Sequence, residues 1–250
     1  MSARVEKNII GRRWKRSDFT GDSRSLAQRL LGHLLVRLLE DGSILAGRIV
    51  ETEAYRGVID AASHAYRGRR TPRNEHMYSR PGTAYVYFTY GMHHCMNVVC
   101  GEIDIPHAVL IRALEPITGL DSMRALRSVH PGKAKRADRD VPDRELCSGP
   151  ARLCQAMSIG REQNGLDLVS GRTLFIAHSH PDLDVRPIKP RQIVRTPRIG
   201  IDYAGEWAAK PLRFLVIESL HISKPPGKDR VKMGNRGKPG RARAPARASN

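Results

Sequence analysis

Residues 34–56 read LLVRLLEDGSILAGRIVETEAYR, two apolar runs joined through Asp41-Gly42. Asp-Gly between such runs is a strong hairpin signal, because both residues accept the left-handed backbone that a tight turn demands. Alternation along the second run puts Glu51, Glu53 and Tyr55 on one strand face and Thr52 and Ala54 on the other. Further along, residues 83–90 form a strand by composition, Gly91 breaks it, residues 92–100 return, and residues 108–115 make a third run. Helical spacing predicts helices over 23–31, 120–129 and 149–157, the last with Pro150 near its first position. Shorter helical turns are expected near 61–66, 72–78 and 204–209, a charged loop over 133–143, and strands over 167–177 and 212–218. The fold class expected is therefore α+β: one mixed domain over 18–222 built on an antiparallel sheet with flanking helices. A loose basic arm (1–17) and a disordered basic tail (223–250) should flank it.

Charge narrows the partner class. The chain of 250 residues carries 43 Lys+Arg against 25 Asp+Glu, a formal net charge of +18. A field of that sign favours a polyanion: nucleic acid, ribosome or an anionic membrane. Residues 224–250 hold nine basic side chains against Asp229 alone, so the folded part is basic in its own right and the tail too poor in apolar residues to build a core. No apolar run reaches the length of a membrane span, and no membrane partner is expected. Cys95, Cys100, Cys147 and Cys154 lack CxxC spacing, which fits a reduced cytosolic or nuclear compartment and four small buried hydrophobes. His93, His94, Cys95, Cys100 and His107 are metal-ligand types. Strand alternation scatters them over both sheet faces, so no metal site is expected.

The chemistry-bearing residues concentrate between positions 55 and 90. Six of seven tyrosines (Tyr55, Tyr66, Tyr78, Tyr85, Tyr87, Tyr90) lie there among Arg56, Arg67, Arg69, Arg70, Arg73 and Arg80. Rings stack on bases and arginines contact phosphates, so the interleaving suits a nucleic-acid face. A core strand beside a solvated loop explains the same composition, and both readings stand at this point. Glu51 and Glu53 are equally ambiguous. Each is an ion-pair partner for a nearby arginine, or one is the base that glycosidic hydrolysis needs close to a cationic sugar.

Six motifs occur in order: RIVETEAYRG at 48–57, SHAYRGRRTPRN at 63–74, and PGTAYVYFTYGM at 81–92 with CMN at 95–97. They continue with LIRALEP at 110–116, LCSGPARLCQAMSI at 146–159 and TPRIGIDYAGEWAAKPLRF at 196–214. Together they closely resemble the alkyladenine (3-methyladenine) DNA glycosylase family from about Asp18 to Ile217. The resemblance implies a curved antiparallel sheet like that of the carboxy-terminal domain of formyltransferases, and no metal or organic cofactor. It also implies a monomer that flips damaged purines out of double-stranded DNA and hydrolyses their glycosidic bond.

Motif by motif, the resemblance assigns Glu53 as general base for water, with Arg112 and the carbonyl of Ile199 completing the water's site. Tyr55, His64 and Tyr87 become walls of the base pocket, Asn97 the side chain that excludes guanine, and Tyr90 with Met92 the intercalating turn. Glu51 is expected to support the site or the fold. The compartment implied is the nucleoid-bearing cytoplasm of a bacterium or the nucleus of a eukaryote. No lysine occurs between Lys15 and Lys133, so the stretch from ETEAY to LIRALEP offers no amine for Schiff-base lyase chemistry, and water is the expected nucleophile.

Overall fold

A computed structural model describes residues 12–128, 141–179, 185 and 188–226. The expected hairpin is present as β1 (Leu34–Leu38) and β2 (Ile44–Arg56), and β3 (Ala84–Thr89), β4 (His93–Val99) and β5 (His107–Thr118) follow. The later strands are β6 (Leu174–Ala177), β7 (Ile193–Thr196) and β8 (Arg213–Val216). All pairings are antiparallel, and the sheet runs β3-β4-β5-β2-β1-β6. This is the expected α+β domain.

The long strand β2 organises the molecule. One edge pairs with β5 from Ala46 to Arg56, while the other is shared between β1 (residues 44–48) and β8 (residues 51–53). Register shifts on both sides of Glu51 leave Val50 and Arg112 unpaired within the β2–β5 ladder. Such bulges bend a strand and re-aim its side chains, which gives the sheet its curl where the two glutamates sit.

Helices cover one face of the sheet. The described helices are α1 (Arg16–Phe19), α2 (Ser23–Leu30), α3 (Leu120–Ser128), α4 (Asp143–Leu146) and α5 (Pro150–Ala156). α2 begins where Asp22 accepts the Arg24 N–H, and it buries Leu26, Ala27 and Leu30. The Thr52 hydroxyl donates to the Ala27 carbonyl at 2.8 Å, so the face of β2 away from the glutamates is fastened to this helix. All four cysteines are free and buried, as expected of small hydrophobes.

Several elements differ from the sequence-based reading. Of the expected strand 167–177 only residues 174–177 form a strand, and Asp167 makes an isolated bridge with Thr83. Its side chain accepts from Arg16, Arg80 and Ser170, which holds the preceding segment as a loop. Strand β7 and helix α4 were not anticipated, being only four residues each. Part of the expected arm is built into the fold: Trp14 is buried and Arg13 bridges to Ala177. Residues 1–11, most of the loop 133–143 and the tail from 227 onward lie outside the described residues.

Candidate active site

A cavity of about 320 Å³ opens between β2, the β3–β4 hairpin and the segment 199–203. Tyr55, His64, Tyr87, Asn97, Arg112 and Ile199 all line it, and Tyr90 stands at its edge. Seven of the nine residues singled out from sequence therefore meet around one cavity, and Glu53 touches three of their number. Met92 does not line it. This side chain lies at the same turn, 59% exposed, against a neighbouring groove with His93 and His94.

Glu53 is fully buried and fully engaged. Its Oε1 accepts the Ile199 N–H at 2.8 Å and lies 3.2 Å from Arg112 Nη1, while Oε2 accepts the Tyr55 hydroxyl at 3.0 Å. The Ile199 carbonyl is the group expected at the water's site, and the amide N–H of the same residue is what touches the carboxylate. Burial and then the Glu53 charge hold the Tyr55 phenol well above its ordinary range, which keeps it a donor. Burial alone disfavours the Arg112 cation, but Glu53 and Glu51 outweigh it and hold the guanidinium above its usual value.

Glu51 lies behind Glu53 and is equally buried. Its Oε1 accepts from Arg112 Nε at 3.1 Å, Arg213 Nε at 2.6 Å and Ser223 Oγ at 2.8 Å, and its Oε2 accepts the Ser223 N–H at 2.6 Å. Two carboxylates and two guanidinium groups thus form a charge-balanced buried quartet, the condition under which ions tolerate a dry interior. Arg213 also donates to the Lys224 carbonyl. Ser223 and Lys224, expected at the start of a loose tail, are fastened to the back of the site.

Aromatic groups form the cavity wall. His64 Nδ1 lies 2.8 Å from the Tyr85 hydroxyl, and its ring meets the Tyr87 ring edge-on at 4.6 Å. Burial first, then Arg73 and Arg69, lower the His64 pKa to about 4, so its ring is neutral at physiological pH. Asn97 donates from Nδ2 to the Tyr85 carbonyl at 3.1 Å, which fixes its amide beside the cavity.

The hairpin tip is conformationally unusual. Tyr90 has φ 52° and Gly91 φ 66°, and the Met92 N–H donates to the Thr89 carbonyl at 3.2 Å. Positive φ at both central residues marks a tight turn of the mirror-image class, in which a glycine is at ease and a tyrosine is not. The turn holds the Tyr90 ring 84% exposed.

Sequence reasoning missed Arg198 and Asp60. Both side chains are fully buried and joined by two bonds, Nη1–Oδ2 at 2.6 Å and Nη2–Oδ1 at 2.8 Å. Arg198 also donates to the Ala54 carbonyl, and its guanidinium lies 4.6 Å from the Tyr55 ring centroid. The pair anchors the peptide that carries Ile199. A basic residue in a loop gave no hint of burial; the signal lies in tertiary packing alone.

Residues 17–219 match the family model described as methylpurine-DNA glycosylase. A protein of Mus musculus named DNA-3-methyladenine glycosylase is 46% identical over 199 residues, covering 80% of this chain and 57% of the relative. Its namesake in Homo sapiens is 46% identical over 200 residues, covering 79% and 63% respectively. A putative 3-methyladenine DNA glycosylase of Clostridium botulinum (strain Alaska E43 / Type E3) is 44% identical over 209 residues, 84% of this chain and 98% of the relative. The chain thus spans about three fifths of the mammalian relatives and nearly all of the clostridial one. From the first turn of α1 to the end of the β8 segment, the chain belongs to the methylpurine-DNA glycosylase family.

Proposed function

We propose that this protein is a monofunctional DNA glycosylase of base excision repair. It acts as a monomer on double-stranded DNA, flips a damaged purine into the cavity and hydrolyses its glycosidic bond, leaving an abasic site. The substrates are 3-methyladenine, 7-methylguanine, hypoxanthine and etheno-adenine. The observation that carries the reading is Glu53: a fully buried carboxylate whose three partners, Arg112, Tyr55 and the Ile199 amide, belong to residues that line the cavity.

The chemistry follows from those contacts. Water held against Glu53 attacks the anomeric carbon as the carbon–nitrogen bond breaks, the base leaves with the bonding electron pair, and Glu53 takes the water's proton. The anionic quartet member also faces the positive charge that grows on the sugar. Tyr55, Tyr87 and His64 stack on the flipped base, Asn97 rejects the guanine amine, and Tyr90 fills the gap left in the duplex with Met92 beside it at the turn. Purines methylated at N3 or N7 already carry positive charge and leave readily, whereas hypoxanthine needs a proton. A neutral His64 is a poor proton source, so a bound water is the better donor. The protein works wherever the genome lies: the nucleoid-bearing cytoplasm of a bacterium or the nucleus of a eukaryote.

The test is release of hypoxanthine or 3-methyladenine from a defined duplex. Glu53→Gln should abolish release while leaving binding to the lesion intact, and the wild-type product should hold unbroken abasic sites. Equal turnover by wild type and Glu53→Gln, or strand breaks without alkali, overturns the proposal.

A further inference from the structure

The guanidinium of Arg112 faces three ways. Its Nε meets Glu51 at 3.1 Å, its Nη1 meets Glu53 at 3.2 Å, and its Nη2 donates to Ser223 Oγ at 3.3 Å. Because the group is planar and rigid, fixing Nε and Nη2 fixes where Nη1 points. Glu51 supplies the first anchor and Ser223 the second.

Ser223 is chemically suited to that place. Its hydroxyl accepts from Arg112 and donates to Glu51 Oε1 at 2.8 Å, closing a ring of three side chains behind Glu53. Only a group that both donates and accepts can bridge a cation and an anion in this way. The segment that carries Ser223 is itself pinned twice, by the Ser223 N–H on Glu51 Oε2 at 2.6 Å and by Arg213 on the Lys224 carbonyl. These backbone anchors persist when the hydroxyl is removed, so the hydroxyl's own role is separable from that of the segment.

We propose that Ser223 is a positioning residue for the hydrolytic step: its hydroxyl locks the Arg112 guanidinium against Glu51 so that Nη1 orients Glu53. This rests on Glu53 being the base. The functional unit then extends past the last sheet strand into residues 221–226. Without the hydroxyl, Arg112 keeps Glu51 through Nε and Glu53 through Nη1, but Nη2 loses its fixed partner, so the guanidinium plane can tilt and carry the Glu53 carboxylate with it. A misplacement of about 1 Å at reacting groups is enough to cost on the order of a hundredfold in rate.

The experiment uses full-length Ser223→Ala, Ser223→Thr and Glu53→Gln, with single-turnover release of hypoxanthine at saturating enzyme and separate measurement of duplex affinity. Ser223→Ala should lower the saturated rate at least about tenfold with affinity within about twofold of wild type, since orientation and not binding is lost. Ser223→Thr, which keeps the hydroxyl, should recover to within about threefold. A Ser223→Ala rate equal to wild type overturns the proposal. So does a joint loss of rate and affinity that threonine does not restore, because that pattern reports damage to the fold. Activity in Glu53→Gln would instead overturn the catalytic reading on which the proposal rests.

Discussion

Tyr90 offers a prediction in which stability and activity move in opposite directions. The residue sits at φ 52° at the tip of the β3–β4 hairpin, with its ring 84% exposed. Left-handed backbone costs an L-residue about 1–2 kcal/mol. An exposed ring returns little of this through burial. Replacement by glycine removes that strain but adds about 0.5–1 kcal/mol of unfolded-state entropy, so Tyr90→Gly should leave the fold between unchanged and about 1.5 kcal/mol more stable. Asparagine tolerates the same conformation without glycine's freedom, so Tyr90→Asn should reach the upper end of that range. For a domain of this size 1 kcal/mol corresponds to a rise of about 2–4 °C in Tm. Excision should move the other way. An aromatic ring stacked on a base is worth about 1–3 kcal/mol, so losing the wedge should lower the flipped population, and with it the single-turnover rate, about 5- to 150-fold. Calorimetry and single-turnover excision on the same two variants give both numbers. A drop in Tm of more than about 2 °C would refute the strain argument, and excision at the wild-type rate would refute the wedge.

Two further predictions come from buried charges. Asp60→Asn strips the charge from a fully buried pair, leaves Arg198 uncompensated and should cost about 3–5 kcal/mol in urea unfolding; a loss under about 1 kcal/mol would show that Arg198 finds another partner. His33 and His64 are both held near a pKa of about 4, each chiefly by burial, against 6.5 when unfolded. The unfolded chain therefore binds protons that the folded one refuses, so stability should be full above pH 6.5 and fall as the pH drops toward 4, by up to about 3 kcal/mol for each group. Unfolding free energies of wild type and His64→Asn across that window check this, and identical slopes for the two would count against it.

Local rules carried the sheet far. Asp41-Gly42 specified the hairpin, Gly91 the second one, and alternation kept Glu51, Glu53 and Tyr55 on one face, as their shared contacts with Arg112 and with each other bear out. Where reading failed, non-local partners decided. Asp167 is drawn into a loop by Arg16 and Arg80, which lie 151 and 87 residues away in sequence. Strand β7 exists because β8 supplies an edge for it, and its four residues have no pattern strong enough to announce themselves. Trp14 is buried through nearby Phe19 and through His33 and His178, the last two beyond any window of neighbouring residues.

The two glutamates show where the limit lies. Residue type and strand face are the same for both, and both end fully buried, so the one local difference is Tyr55, two residues beyond Glu53 and bonded to it. What differs is the surroundings. Glu51 meets two arginines, one serine hydroxyl and one amide, which satisfy its lone pairs with groups from β5, β8 and the segment beyond it. Glu53 meets one arginine, one phenol and one amide, all residues that line the cavity. A carboxylate walled in on every side can only hold structure, whereas one whose partners line a cavity can also receive a proton from what enters it. Apart from Tyr55, the division of labour between residues two apart in sequence is thus set by residues 59 to 172 positions away, and the bulge that leaves Arg112 unpaired in the ladder is where the two surroundings meet.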